Sequence, residues 1–170
     1  MWRTRVGYAG GTLPDPTYHR LGDHTESFQV DFDPAVVTYE KLLEVFFASH
    51  NPCGKTWSRQ YMSAVFYHDD RQKRLAEAAR DRIAGARTPI LPVGVFTRAE
   101  DYHQKYELQN DDLLKREFRA LYPSEPDFVN STAAMRVNAI VAGHGRGLRP
   151  EVARYGLSEP ARRRLEALIK

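Results

Sequence analysis

Glu26-Ser27-Phe28-Gln29-Val30-Asp31-Phe32-Asp33-Pro34, followed by Thr38-Tyr39-Glu40-Lys41-Leu42-Leu43-Glu44-Val45-Phe46-Phe47, carries two hydrophobic periods in succession. In the first, Phe28, Val30 and Phe32 alternate with Gln29 and Asp31, the spacing that puts apolar side chains on one face of a strand. In the second, Leu42, Leu43, Phe46 and Phe47 fall on one face of a helix. The switch at Asp33-Pro34 predicts a half-buried strand over 26–32, a turn, and a helix over about 38–48 whose apolar face packs on the sheet.

The alternation continues outward from this stretch. Tyr61-Met62-Ser63-Ala64-Val65-Phe66-Tyr67 is a near-continuous apolar run that suits a buried strand. Asp69 or Asp70 can cap a helix over about 70–86, where Leu75, Ala79 and Ile83 repeat at helical spacing. Residues 90–96 form a further strand candidate, with Pro92 confining it to an edge or to a first position. Thr97-Arg98-Ala99-Glu100 has the form of a capping box and predicts a helix opening at about 98 and running, broken, to about 121. After Pro123, helices are expected over 131–142, stopped by Gly143, and over 159–169, with a flexible His144-Gly145-Arg146-Gly147 between them. Upstream, Gly7-Tyr8-Ala9-Gly10-Gly11 followed by Pro14 and Pro16 reads as a structured loop rather than a central strand, and Met1 to Val6 run into it with no preceding helix or strand. Strands interleaved with helices point to an α/β or α+β sandwich; the arrangement expected is α+β, a two-layer α/β sandwich around a mixed sheet with a helical C-terminal extension.

Composition sets the outer bounds. A chain of 170 residues, 42% hydrophobic, can bury one sizeable core. Its 25 Lys and Arg against 22 Asp and Glu give a formal charge of +3, and the run Arg162-Arg163-Arg164 fits a solvated helix face, so no nucleic-acid partner is expected. The single cysteine, Cys53, excludes a disulfide within this sequence and fits a reducing compartment. No apolar run approaches the roughly twenty residues of a membrane span, and no signal-peptide core precedes the domain, so the reading is cytoplasmic without a membrane partner. No grouping of His, Cys and carboxylates has metal-ligand spacing.

Four motifs follow one another along residues 5–108: Val6-Gly7-Tyr8-Ala9-Gly10-Gly11; Pro16-Thr17-Tyr18 leading to Gly22-Asp23-His24-Thr25-Glu26; Gln60-Tyr61-Met62-Ser63-Ala64; and Ala99-Glu100-Asp101-Tyr102-His103-Gln104-Lys105-Tyr106. In this order and spacing they resemble the type A peptide methionine sulfoxide reductases (peptide-methionine (S)-S-oxide reductases). The resemblance implies reduction of methionine-S-sulfoxide, in peptides or free, by a cysteine thiolate. A cysteine sulfenate forms, and thioredoxin or another dithiol restores the thiol, with no bound cofactor or metal. It places the activity among oxidoreductases of protein repair and the oxidative stress response. It divides the chain into an N-terminally truncated reductase-like domain, 1–122, and a helical extension, 123–170, packing on it.

Residue by residue, the resemblance makes Glu26 the acid that protonates the departing oxygen. A glutamate partly buried among Tyr and Phe would have its charged form disfavoured, which suits that task. Tyr8 and Tyr61 match the phenols that hydrogen-bond the same oxygen. The plain alternatives are a solvated strand-end carboxylate and two packed aromatics. His24 and His103 also match family positions, and a structural role is expected for them. The sequence departs from the family in two places. The family nucleophile, in a Gly-Cys-Phe-Trp motif at a helix N-terminus upstream of the Gly-Tyr-Ala-Gly-Gly loop, has no match, and Trp2 lies too near Tyr8 to be that tryptophan. The loop Cys53-Gly54-Lys55-Thr56-Trp57-Ser58-Arg59 is shorter than usual and lacks the family aspartate. Cys53, beside Lys55, Trp57 and Arg59, is then a substitute nucleophile, a resolving thiol, or a packed loop cysteine. A catalytically silent methionine-sulfoxide-binding module is the alternative to the enzyme.

Overall fold

The computed structural model describes residues 1–169. In chain order the elements are β1 (Arg3–Ala9), β2 (Thr25–Asp31), α1 (Tyr39–Ala48), β3 (Val65–Tyr67), α2 (Asp70–Asp81), β4 (Ile90–Pro92), β5 (Thr97–Arg98), α3 (Tyr106–Gln109), α4 (Asp112–Leu121), α5 (Glu125–Asn130), α6 (Thr132–Val141) and α7 (Glu159–Leu168), with 3-10 turns at Asp101–His103 and Arg149–Tyr155. The chain is α+β, with antiparallel and parallel pairings distributed over a three-stranded sheet, ordered β2-β1-β5, and a parallel pair, β3-β4. Two compact units divide it: Val6–Ala99, and Glu100 onward together with Met1–Arg5.

Within Val6–Ala99 the largest departure from the sequence reading is β1. The stretch expected to be a loop with no strand before it is the central strand of its sheet, and the glycine that argued against a strand is what permits it. A Cβ on Gly7 would lie 2.4 Å from the Thr97 carbonyl oxygen and 2.5 Å from Phe96 Cζ. Only a residue without a side chain lets β5 approach this closely, in the register Gly7↔Arg98 and Tyr8↔Thr97. That pairing also overturns the capping box: Thr97 and Arg98 are strand residues, and the Ala99 N–H donates to the Val6 carbonyl instead of opening a helix.

In the rest of this unit the helix starts follow their local signals, but α2 ends at Asp81, short of the expected 86, and the strand expected over 90–96 is only β4, Ile90–Pro92. Thr38 caps α1 by accepting from the Lys41 N–H, and Asp69 caps α2 by accepting from the Gln72 N–H. Leu43 and Phe47 of α1 bury against Val65 and Ala76, with Leu75, Ala79 and Ile83 packed around them. The apolar run over 61–67 yields only the three-residue β3, because the Gln60 carbonyl accepts from the Glu26 N–H and residues 60–64 leave the ladder. Phe28 is 64% exposed, so the alternation that identifies β2 is not matched by burial of its apolar face.

The second unit is helical, with Leu108, Leu114, Phe118, Phe128, Val137 and Leu165 in one core. Residues on both sides of position 122 share that core. Helices expected over 131–142 and 159–169 are α6 and α7, capped by Ser131 and Ser158. The first five residues are tied into this unit by side chains: Thr132 Oγ1 donates to the Trp2 carbonyl, Lys105 Nζ to the Thr4 carbonyl, and Arg5 Nε to Asn130 Oδ1. Lys105 is 5% exposed, and burial together with the Arg5 charge lowers its pKa to about 8. No helix among the described residues is long and apolar enough to cross a membrane.

Candidate active site

Within Val6–Ala99, three of the four motifs converge on the end of β1 and the start of β2. The loop after β1 is fixed by Asp23, whose carboxylate accepts from the Thr12 N–H at 2.8 Å, the Thr12 hydroxyl at 3.0 Å and the Leu13 N–H at 3.2 Å. The Thr12 N–H is the largest cause holding the Asp23 carboxyl down at about 2; partial desolvation opposes it, and the other two donors add to it. Arg59 closes the arrangement from the other side, donating to the Asp23 carbonyl at 2.6 Å and to the Gly10 carbonyl at 2.7 Å. His24 is buried and donates from Nε2 to the Leu13 carbonyl at 2.9 Å, so its ring braces the loop, as its structural reading expects. The ring lies so close to Gly11 that a Cβ there would meet it at 2.4 Å.

This scaffold presents Glu26. Its backbone N–H donates to the Gln60 carbonyl at 2.9 Å, and the Gln60 side-chain amide donates back to Glu26 Oε1 at 2.7 Å. The same Nε2 donates to the Tyr61 hydroxyl oxygen at 3.1 Å. Glu26 and Tyr61, far apart in sequence, are thus joined through one amide group. Tyr61 hydrogen-bonds to the Tyr18 phenol, and its ring lies 5.2 Å from that of Trp57, which is 80% exposed. Desolvation, then the Glu26 charge, then Tyr18 push the Tyr61 phenol above its ordinary value, so it remains a neutral donor at pH 7.

Glu26 is exposed, whereas the sequence reading expects a carboxyl partly buried among aromatic rings. It stands at the start of an outer strand, and Tyr61 beside it is itself exposed, with Gln60 half-buried between them. Tyr8, on the neighbouring strand β1, is buried against Leu21 and Ala99. Cys53 is exposed in the loop after α1; its N–H donates to Asn51 Oδ1, and its thiol donates to the Ala84 carbonyl at 3.4 Å. These partners do not belong to the Glu26–Gln60–Tyr61 group. Among the described residues no cluster of three or more His, Cys, Asp or Glu could hold a metal ion.

Sequence reasoning missed the connecting residues. Asp23, Gln60 and Tyr18 stand inside the quoted motifs beside His24, Tyr61 and the loop, and a polar residue adjacent to a candidate is the signal that could have found them. Arg59 had no signal beyond its charge.

Chemically, a carboxyl and a phenol linked by one amide can offer two hydrogen-bond donors to a single oxygen atom of a bound molecule. Comparison with known proteins places the chain in a family. The family model described as peptide methionine sulfoxide reductase matches residues 1–133. The chain is 41% identical over 151 residues to peptide methionine sulfoxide reductase A5 of Oryza sativa subsp. japonica, covering 82% of this chain and 59% of the relative. It is 39% identical over 151 residues to the peptide methionine sulfoxide reductase of Drosophila melanogaster, covering 84% and 60%, and so spans about three-fifths of these two relatives. With the peptide methionine sulfoxide reductase MsrA of Methanococcoides burtonii it shares 42% identity over 119 residues, covering 61% of this chain and 78% of that one. Among solved structures, methionine sulfoxide reductase A of Corynebacterium diphtheriae superposes with a TM-score of 0.53 at 31% identity, over 65% of this chain and 64% of that one. The chain belongs to the type A peptide methionine sulfoxide reductase family.

Proposed function

We propose that this protein is a peptide-methionine (S)-S-oxide reductase that takes methionine-S-sulfoxide, in peptides or free, and returns methionine. The observation that carries the reading is the junction of Glu26 and Tyr61 through the Gln60 amide, at the place where three family motifs meet. A cysteine thiol attacks the sulfoxide sulfur, the sulfoxide oxygen passes to the cysteine as a sulfenic acid, and methionine departs. Glu26 supplies the proton that the oxygen takes up, while Tyr61 and Tyr8 hold that oxygen by hydrogen bonds. Cys53 is the one thiol this sequence offers, and its exposure supports its candidacy. A dithiol such as thioredoxin then condenses with the sulfenic acid, releases water, and reduces the resulting mixed disulfide. The setting is the cytoplasm, in repair of oxidised protein under oxidative stress.

The test is thioredoxin-coupled consumption of NADPH with separated S- and R-sulfoxides of N-acetylmethionine amide. Turnover of the S isomer, lost in Cys53→Ser, supports the proposal. No S turnover, or equal turnover of both isomers, contradicts it, and turnover that survives Cys53→Ser removes Cys53 from the mechanism.

A further inference from the structure

We propose that Gln60 is a positioning residue that aims the acid protons of Glu26 and Tyr61 outward, toward one shared oxygen. The inference rests on the reading of Glu26 as acid and Tyr61 as oxygen-binding phenol, and adds the residue that sets their geometry. A single side-chain nitrogen, Gln60 Nε2, lies 2.7 Å from Glu26 Oε1 and 3.1 Å from the Tyr61 hydroxyl oxygen. An amide nitrogen has two hydrogens, enough for one bond to each. The flipped amide would set its carbonyl oxygen against a carboxylate oxygen, so ionised Glu26 selects the orientation in which nitrogen faces it.

Two consequences follow from which atoms accept. Glu26 Oε1 is occupied as an acceptor whether the carboxyl is charged or neutral, so a proton taken up by this group resides on Oε2, the oxygen Gln60 leaves free. The Tyr61 oxygen also accepts from Gln60, which turns its own O–H away from the amide; in the resting site that hydrogen bond runs to Tyr18. A sulfoxide oxygen placed beyond the pair can then replace Tyr18 as partner and meet both donors.

The bridge has little freedom to wander. The Gln60 main chain is fixed by its carbonyl accepting from the Glu26 N–H at 2.9 Å and by its N–H donating to Ser58 Oγ at 3.2 Å. Next to it, the Arg59 carbonyl accepts from Thr25 Oγ1 at 3.0 Å while its guanidinium grips Gly10 and Asp23. Glu26 and Tyr61 are both exposed, and without such a strut two flexible side chains at the surface would each pay conformational entropy to meet.

The test reads the coupling between Glu26 and Tyr61 directly and needs no turnover. Tyrosine ring signals are followed by NMR through the phenol titration in the wild type, Glu26→Gln, Gln60→Met and the double variant. Gln60→Met keeps the volume and removes the amide; Gln60→Asn, which keeps the amide and loses its reach, serves as the second variant. In the wild type, Glu26→Gln removes a negative charge held beside the phenol and lowers the Tyr61 midpoint. With Gln60→Met or Gln60→Asn the carboxylate swings into solvent, and the response to Glu26→Gln falls to less than about half of the wild-type response. An equal response with and without the Gln60 amide overturns the proposal, as does an absent response in the wild type. Because Tyr61 titrates whether or not the protein turns over, failure of the reductase reading and failure of this inference are read in separate experiments.

Discussion

Gly7→Ala tests the feature on which the sheet depends. The added Cβ would lie 2.4 Å from the Thr97 carbonyl oxygen and 2.5 Å from Phe96 Cζ, against an ordinary contact of about 3.5–4.0 Å. The Phe96 ring can swing away, but the Thr97 oxygen is main chain and moves only if β1 and β5 separate at Gly7↔Arg98 and Tyr8↔Thr97. Overpacking of this kind costs about 1–3 kcal/mol, and weakening one or two ladder bonds adds about 1 kcal/mol each. Alanine recovers roughly 0.5–1 kcal/mol in a strand, leaving a net loss of about 3 kcal/mol. For a chain of this size that lowers Tm by roughly 6–12 °C. Gly94→Ala is the control: nothing lies within 4 Å of its Cβ, and its cost is the strain of a side chain at φ +59, about 1–2 kcal/mol. Calorimetric melting of the two variants beside the wild type gives the comparison. A Gly7→Ala loss equal to or smaller than that of Gly94→Ala would refute the close-approach argument.

Two further outcomes concern charge. The Asp23 carboxyl titrates at about 2 in the folded chain against an ordinary 3.8, so its contribution is full above about pH 4 and disappears as pH falls toward 2. Asp23→Asn is therefore less stable than the wild type at neutral pH, and the gap closes across that window in acid-dependent urea melts. Lys105 is the opposite case: its folded value of about 8 lies below the ordinary 10.5, so the folded state disfavours the charged form. Relative to Lys105→Met, the wild type gains stability as pH rises from about 8 to 10.5, by up to about 3 kcal/mol, measured as the difference in urea unfolding free energy. A difference that stays flat across that range would contradict a buried ammonium.

The helices were legible because their signals are local. Thr38, Asp69, Ser131 and Ser158 each cap a helix that the sequence predicts. The sheet was less legible, because its decisive facts are non-local. Gly7 reads as a strand breaker in isolation and as a requirement only once Thr97 and Phe96 are known to face it. Thr97-Arg98-Ala99-Glu100 satisfies a helix-start pattern, yet pairing with β1 takes Thr97 and Arg98 into a strand. The shared core of the helical unit was hidden for a related reason: Leu108, Leu114 and Phe118 bury against residues beyond position 122, which no shift in composition betrays. Motif order marked Glu26 and Tyr61, but their connection through Gln60 joins segments distant in sequence and required the fold. The exposure of Glu26 was not foreseeable from its neighbours, since Phe28 on the same strand is also exposed.

The most direct test of the account is the rate at which the purified chain reduces an S-sulfoxide methionine peptide with a dithiol reductant, compared between wild type and Glu26→Gln at neutral pH. With Glu26 as the proton donor, turnover in the wild type falls by about 10²–10⁴-fold in the variant, while the fold, followed by the Tyr8 and Leu43 core signals, is unchanged. A wild type without turnover, or a Glu26→Gln rate equal to that of the wild type, would contradict the assignment of this carboxyl as the acid.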